Sequence, residues 1–135
     1  MDDLQRQHWR FAWRTTRWQL PPDYDRAPLP RADGARFALS AWNPGCRRLP
    51  GPVNHARHAL LMAELRAYGL SPLPMSGGDA STGWHEDFWL ISHVRQRDLH
   101  LLKRYGQLAG LVVDGCTGRL LWADGVLDDV PTTLA

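Results

Sequence analysis

The chain has 135 residues, 44% of them hydrophobic and seven of them tryptophan, which supports one domain with a real core and excludes a disordered chain. Its 16 basic and 14 acidic residues leave a formal net charge of +2, a balance that argues against nucleic acid or an anionic membrane as a partner on charge alone. No window reaches the roughly 18 apolar residues of a membrane-crossing helix, and Met1-Asp2-Asp3-Leu4-Gln5-Arg6 lacks the apolar run of a secretory signal. The expectation is a cytoplasmic protein in which Cys46 and Cys116 are free thiols.

Residues 6–20 mix arginine with tryptophan. On a helical projection Arg6, Arg10, Arg14 and Arg17 share one side, with Trp9 and Trp13 beside them. This predicts a helix running into a strand at residues 15–20, stopped by Pro21-Pro22. Such a segment could stack and neutralise single-stranded nucleic acid, but tryptophans at this spacing more often belong to a core over which arginines snorkel. Residues 21–36 hold four of the ten prolines and are expected to form a surface connection.

Residues 37–42 alternate as a strand with Phe37, Leu39 and Ala41 on one face, and Asn43-Pro44-Gly45 ends it in a turn. The clearest helix covers residues 53–68 and is closed by Gly69. Residues 70–83, with Pro72, Pro74, Gly77, Gly78 and Gly83, read as a loop. A strand over 84–93, a short helix over 98–105 and a hairpin of strands 108–114 and 119–123 around Gly115-Cys116-Thr117-Gly118 follow. Residues 124–135 are expected to fray. The predicted architecture is α+β over residues 1–135: a largely antiparallel sheet of about five strands, two helices packed on one face, and a closing hairpin.

The polar residues that fall on apolar stripes are the best guide to a site. On the helix over 53–68, Leu61, Leu65 and Tyr68 form the stripe that must face the sheet, and Asn54 and Arg57 share it. A buried guanidinium is costly unless it is paired or hydrogen-bonded. Arg57 therefore predicts either a carboxylate partner or a pocket at the helix start, where backbone N–H groups favour anions. Alternation places Glu86 with Phe88 and Leu90, so Glu86 would meet Arg57 if that face meets the helix. A structural alternative is equally concrete: Arg57 and Glu86 form a buried salt bridge, Asn43 bonds to its own turn, and Asn54 caps the helix.

No motif calls for a metal or a cofactor. His85-Glu86 lacks the His-x-Glu spacing of zinc deaminases and no Pro-Cys-x-x-Cys follows. His55 and His58 stand three apart on a helix without a third ligand. No serine occupies a Gly-x-Ser-x-Gly elbow. Gly77-Gly78-Asp79 reads as a glycine-permitted turn whose Asp79 bonds locally or points into the cleft.

Five separated segments, in order, carry a family resemblance. They are Thr16-Arg17-Trp18, Ser40-Ala41-Trp42-Asn43-Pro44, Asn54-x-x-Arg57 with Leu61 and Leu65 after it, Gly78-Asp79 with Gly83-Trp84-x-Glu86, and Tyr105-Gly106-Gln107-x-Ala109. Together, across residues 10–123, they resemble the uncharacterised bacterial domain of unknown function family 3293. Val53, Asp87 and Leu108 depart from the Glu, Glu and Asn usual at those positions of the family. The resemblance implies a shared fold and a shared site, and no reaction.

The combined expectation is a cleft at the start of the Asn54 helix that binds a small polar or anionic ligand. Arg57 would hold the charge, Asn43, Asn54 and Gln107 would orient the ligand, and Trp42 or Trp84 would wall it. Were chemistry to occur, Glu86 or Asp79 would be the general base. The competing expectation is an interaction module, in which this set is scaffold and the arginine–tryptophan start or the final hairpin's edge docks a protein partner.

Overall fold

A computed structural model describes residues 2–21, 34–115 and 117–133, so most of the expected connection over 21–36, and Cys116 in the expected hairpin turn, lie outside the described residues. The elements in chain order are α1 (Asp3–Thr15), β1 (Arg17–Gln19), β2 (Arg36–Leu39), a 3-10 turn (Pro44–Cys46), α2 (Gly51–Ala67), β3 (Leu73–Asp79), β4 (Trp84–Ser92), α3 (Arg95–Arg104), β5 (Ala109–Asp114), β6 (Thr117–Trp122) and β7 (Leu127–Thr133). The strands form one sheet in the order β1-β3-β4-β2-β5-β6-β7, antiparallel at every pairing. The α+β class therefore holds, with seven strands and three helices in place of five and two among the described residues.

The sheet carries a layer on each side. Phe37 and Leu39 of β2 pack with Ile91, Val112 and Leu121 against Leu61 and Leu65 of α2 and Leu101 and Leu102 of α3. The two expected helices do share one face. The opposite face buries Ala38, Met75, Phe88, Leu90, Leu111, Leu120 and Trp122 together with Trp13 of α1 and Trp18 of β1. β2 sits mid-sheet between these layers, which is why all four of its residues are buried.

α1 is set locally by a capping box: Asp2 accepts from the Gln5 backbone N–H at 2.8 Å, and the Gln5 side chain accepts from the Asp2 backbone N–H at 3.0 Å. Its first turns are pinned at the β7 end of the sheet, where Arg6 pairs with Asp124 and Arg10 with Asp128. Its last turn reaches the β1 end, where the ring centroids of Trp13 and Trp18 lie 5.0 Å apart. The helix thus crosses the sheet diagonally from one edge to the other. Arg17, projected onto the same helix side as Arg6, Arg10 and Arg14, is instead in β1.

Two segments depart from expectation for physical reasons. Residues 73–79 form β3, not a loop. A Cβ at Gly77 would lie 2.8 Å from Cζ3 of Trp18 across the strand pair, so this glycine makes room for an indole and does not mark a turn. Residues 127–133, expected to fray, form β7 on the flank of β6. Among the described residues no helix is long and apolar enough to cross a membrane.

Candidate functional site

Chain direction changes sharply after β2. Asn43 takes the left-handed conformation, φ 46° and ψ 59°, which asparagine tolerates better than most side chains. The turn is locked by an asparagine pair. The backbone N–H of Asn43 donates to Asn54 Oδ1 at 3.0 Å, and Asn54 Nδ2 donates to Asn43 Oδ1 at 2.9 Å and to the Leu49 carbonyl at 3.2 Å. Asn43 Oδ1 also accepts from the Leu49 N–H at 2.9 Å. Asn54 is almost fully buried and lies in the first turns of α2, which begins at Gly51 with Pro50 as its cap, so Asn54 is a clasp and not the helix cap.

Arg57 and Gln107 brace the same turn from behind. Arg57 Nε donates to the Ala41 carbonyl at 2.6 Å and its Nη2 to the Tyr105 carbonyl at 2.8 Å. Gln107 Nε2 donates to the carbonyls of Trp42 and Tyr105, at 3.0 and 3.1 Å. These bonds tie the end of β2 to the end of α3. No carboxylate among the described residues pairs with Arg57, and the expected meeting of Arg57 with Glu86 does not occur. The reason is the sheet itself: Phe88 and Leu90 face α1, and Glu86 goes with them, on the opposite face from α2.

Arg57→Ala is accordingly expected to destabilise the protein by about 2–3 kcal/mol, because two partly buried carbonyls lose charged donors. Arg57→Lys should recover little, since one ammonium does not reproduce a planar fork reaching two carbonyls. Urea unfolding measures both; a loss below about 0.5 kcal/mol for the alanine variant would show the brace to be idle.

Glu86 instead faces a cleft beneath α1. Trp84 Nε1 donates to its carboxylate at 3.1 Å, and Asn43 Nδ2 approaches the same oxygen at 3.4 Å. Burial raises its pKa from 4.5 to about 7, against the opposing pull of hydrogen bonds from Asn43, Trp84 and Ser40 and of the nearby His85. The cleft's cavity volume is about 40 Å³, within a wider atom-free region of about 450 Å³ that includes open solvent. Glu86, Asn43 and Gln107 line it with the indoles of Trp9, Trp13, Trp84 and Trp122. Cys46 lines it too; the residue is exposed overall, yet desolvation on its cleft side and the Glu86 charge push its thiol up to about 11, the opposite of an activated nucleophile.

The remaining predicted residues lie elsewhere. Asp79 is turned into its own loop, accepting from the Ser81 hydroxyl at 2.7 Å and the Ser81 N–H at 3.0 Å, and these bonds hold its carboxyl below the usual range. It borders a neighbouring groove with Trp84, Thr16 and Thr82, not the Glu86 cleft. Trp42 turns away, edge-on to His55 and His85 at ring distances of 5.2 and 5.7 Å. His58 stacks flat on Trp89 at 4.3 Å, apart from His55. Trp9, Trp13 and Trp122 were not expected at the site. Their signals are the four-residue spacing of Trp9 and Trp13, one helix face, and the alternation of Trp122 with Leu120 in β6.

The clasp, the brace and Glu86 all fall within one stretch of chain. The family model described as Protein of unknown function (DUF3293) matches residues 39–109, just over half of the sequence. The chain belongs to the DUF3293 family. The match runs from the end of β2 to the start of β5 and contains Asn43, Asn54, Arg57, Asp79, Trp84, Glu86 and Gln107. It leaves out α1 and β6, which bring Trp9, Trp13 and Trp122 to the cleft. In this DUF3293 chain the polar floor thus lies inside the matched stretch and most of the aromatic wall lies outside it. No curated protein and no solved structure matches the chain.

Proposed function

We propose that this chain binds a small polar ligand in the cleft beneath α1, beside the turn that carries Asn43, with Glu86 as the group that recognises it. The observation that carries the reading is the environment of Glu86: a half-buried carboxyl at the foot of a tryptophan-walled cleft, held by neutral donors and without a cationic partner among the described residues. An acid left in this state costs the fold stability when it ionises, and a ligand that meets it there offsets that cost. Asn43 and Gln107 line the same space. Asn54 and Arg57 support the site by holding the turn that carries Asn43, and do not themselves face the cleft. A carboxyl that titrates near neutrality can also exchange a proton with a bound molecule, which makes Glu86 the group through which any chemistry would pass.

The seven tryptophans give a direct test, because four line the cleft and Trp18, Trp42 and Trp89 do not. In a fragment screen followed by two-dimensional NMR of the indole N–H groups, binders should move the Trp84 and Trp9 signals while leaving Trp42 and Trp89 in place. Binders that shift the two sets equally, or a screen in which Trp84 and Trp9 never move, would remove the reading.

A further inference from the structure

The charge inventory of the cleft says which kind of ligand suits it, provided the cleft is the binding site argued above. Among the residues that line it, the ionisable side chains are Glu86 and the Cys46 thiol, and no lysine, arginine or histidine is present. Three arginines on neighbouring elements are committed: Arg57 to two backbone carbonyls on the far face of the sheet, Arg6 to Asp124 and Arg10 to Asp128. His85 is bonded to Asp87 at 2.9 Å, on the other face of β4. Among the described residues an anion entering here would find no charged donor lining the cleft and one like charge.

The walls point the same way. Indole faces carry negative quadrupole density and attract cations within about 6 Å of the ring centre. Trp122 already does so, with the Arg6 guanidinium 5.1 Å above its ring. An acid and several indoles around one space match an ammonium group with an apolar tail, since the charge meets the carboxylate and the carbons meet the rings. We propose that the cleft takes a small organic cation, an alkylammonium, whose nitrogen is held by the Glu86 carboxylate against the indoles of Trp84 and Trp9. No bond is made or broken; a protonated Glu86 gives its proton to solvent as the ammonium arrives.

Three probes of one size and different charge test this: n-butylammonium, 1-butanol and butyrate, each titrated while the indole N–H signals are followed. Butylammonium should saturate the Trp84 and Trp9 shifts at a concentration about tenfold below that of butanol, with butyrate weaker still. Glu86→Gln should erase the advantage of butylammonium over butanol. Equal binding of butanol and butylammonium, or preference for butyrate, would overturn the cation while leaving the cleft as a binding site. Persistence of the full preference in Glu86→Gln would also overturn it, because the carboxylate would not be its source. Silence of Trp84 and Trp9 toward all three would overturn the cation and count against the cleft together.

Discussion

Replacing Glu86 with glutamine should stabilise the protein at about pH 8 by roughly 3 kcal/mol. Burial holds this carboxyl at about 7 in the folded chain, against 4.5 for the free group. Between those values the folded state keeps a proton that the unfolded chain releases. The contribution of Glu86 to stability is therefore complete below about pH 4.5 and lost as the pH rises through 7, at about 1.4 kcal/mol for each unit of difference. Glutamine keeps the shape and the hydrogen bonds and never ionises. Urea unfolding from pH 4.5 to 8 should show the wild type losing stability relative to the variant along that limb. The lowered carboxyls of Asp79 and Asp124 act in the acid range and in the opposite sense, so they do not mimic the effect. Parallel profiles for the two proteins would mean that Glu86 ionises freely in the folded state.

Gly110→Ala should cost about 3 kcal/mol or prevent folding. Gly110 lies in β5 opposite Leu121 and beside β2. A Cβ there would stand 2.6 Å from Cε1 of Phe37 and 3.0 Å from the Ala38 carbonyl. Phe37 is fully buried in the α2–α3 layer, so its ring has nowhere to retreat without displacing Leu61 or Leu101. Gly51→Ala is the matched control: nothing lies within 4 Å of its added Cβ, and its position at the start of α2 tolerates alanine. Thermal unfolding should separate the two clearly. A Gly110→Ala protein within about 1 kcal/mol of wild type would show that the sheet yields at this crossing more easily than a close-packed core allows.

Local pattern made part of this molecule legible. The alternation of Phe37, Leu39 and Ala41, and Leu61 and Leu65 of the helix stripe, correctly placed one layer of the core, whereas Tyr68, the third member of that stripe, is 48% exposed at the end of α2. Alternation states which residues share a face, but not what covers that face. Phe88 and Leu90 were therefore correctly grouped with Glu86, while the layer that meets them, α1, could not be read from them. Arg57 was rightly placed near the interior, and its answer was a pair of backbone carbonyls, a kind of partner that leaves no mark in the sequence. β3 was hidden because Gly77, which answers to Trp18 some sixty residues away, looks like loop chemistry when seen alone. β7 was hidden by Asp128 and Asp129, poor strand formers whose places are explained by Arg10, Trp122 and Arg119.

The polar set read from the sequence therefore divides. Asn54, Arg57 and Gln107 spend their hydrogen bonds on the turn after β2, Asp79 on its own loop, and Asn43 links the turn to Glu86. Among the described residues Glu86 remains as the one carboxyl lining the cleft, and the proposed function rests on it. A carbon-13 NMR titration of the Glu86 side-chain carboxyl tests that directly: the structure predicts a midpoint near 7, and a midpoint near the ordinary 4.5 would contradict it.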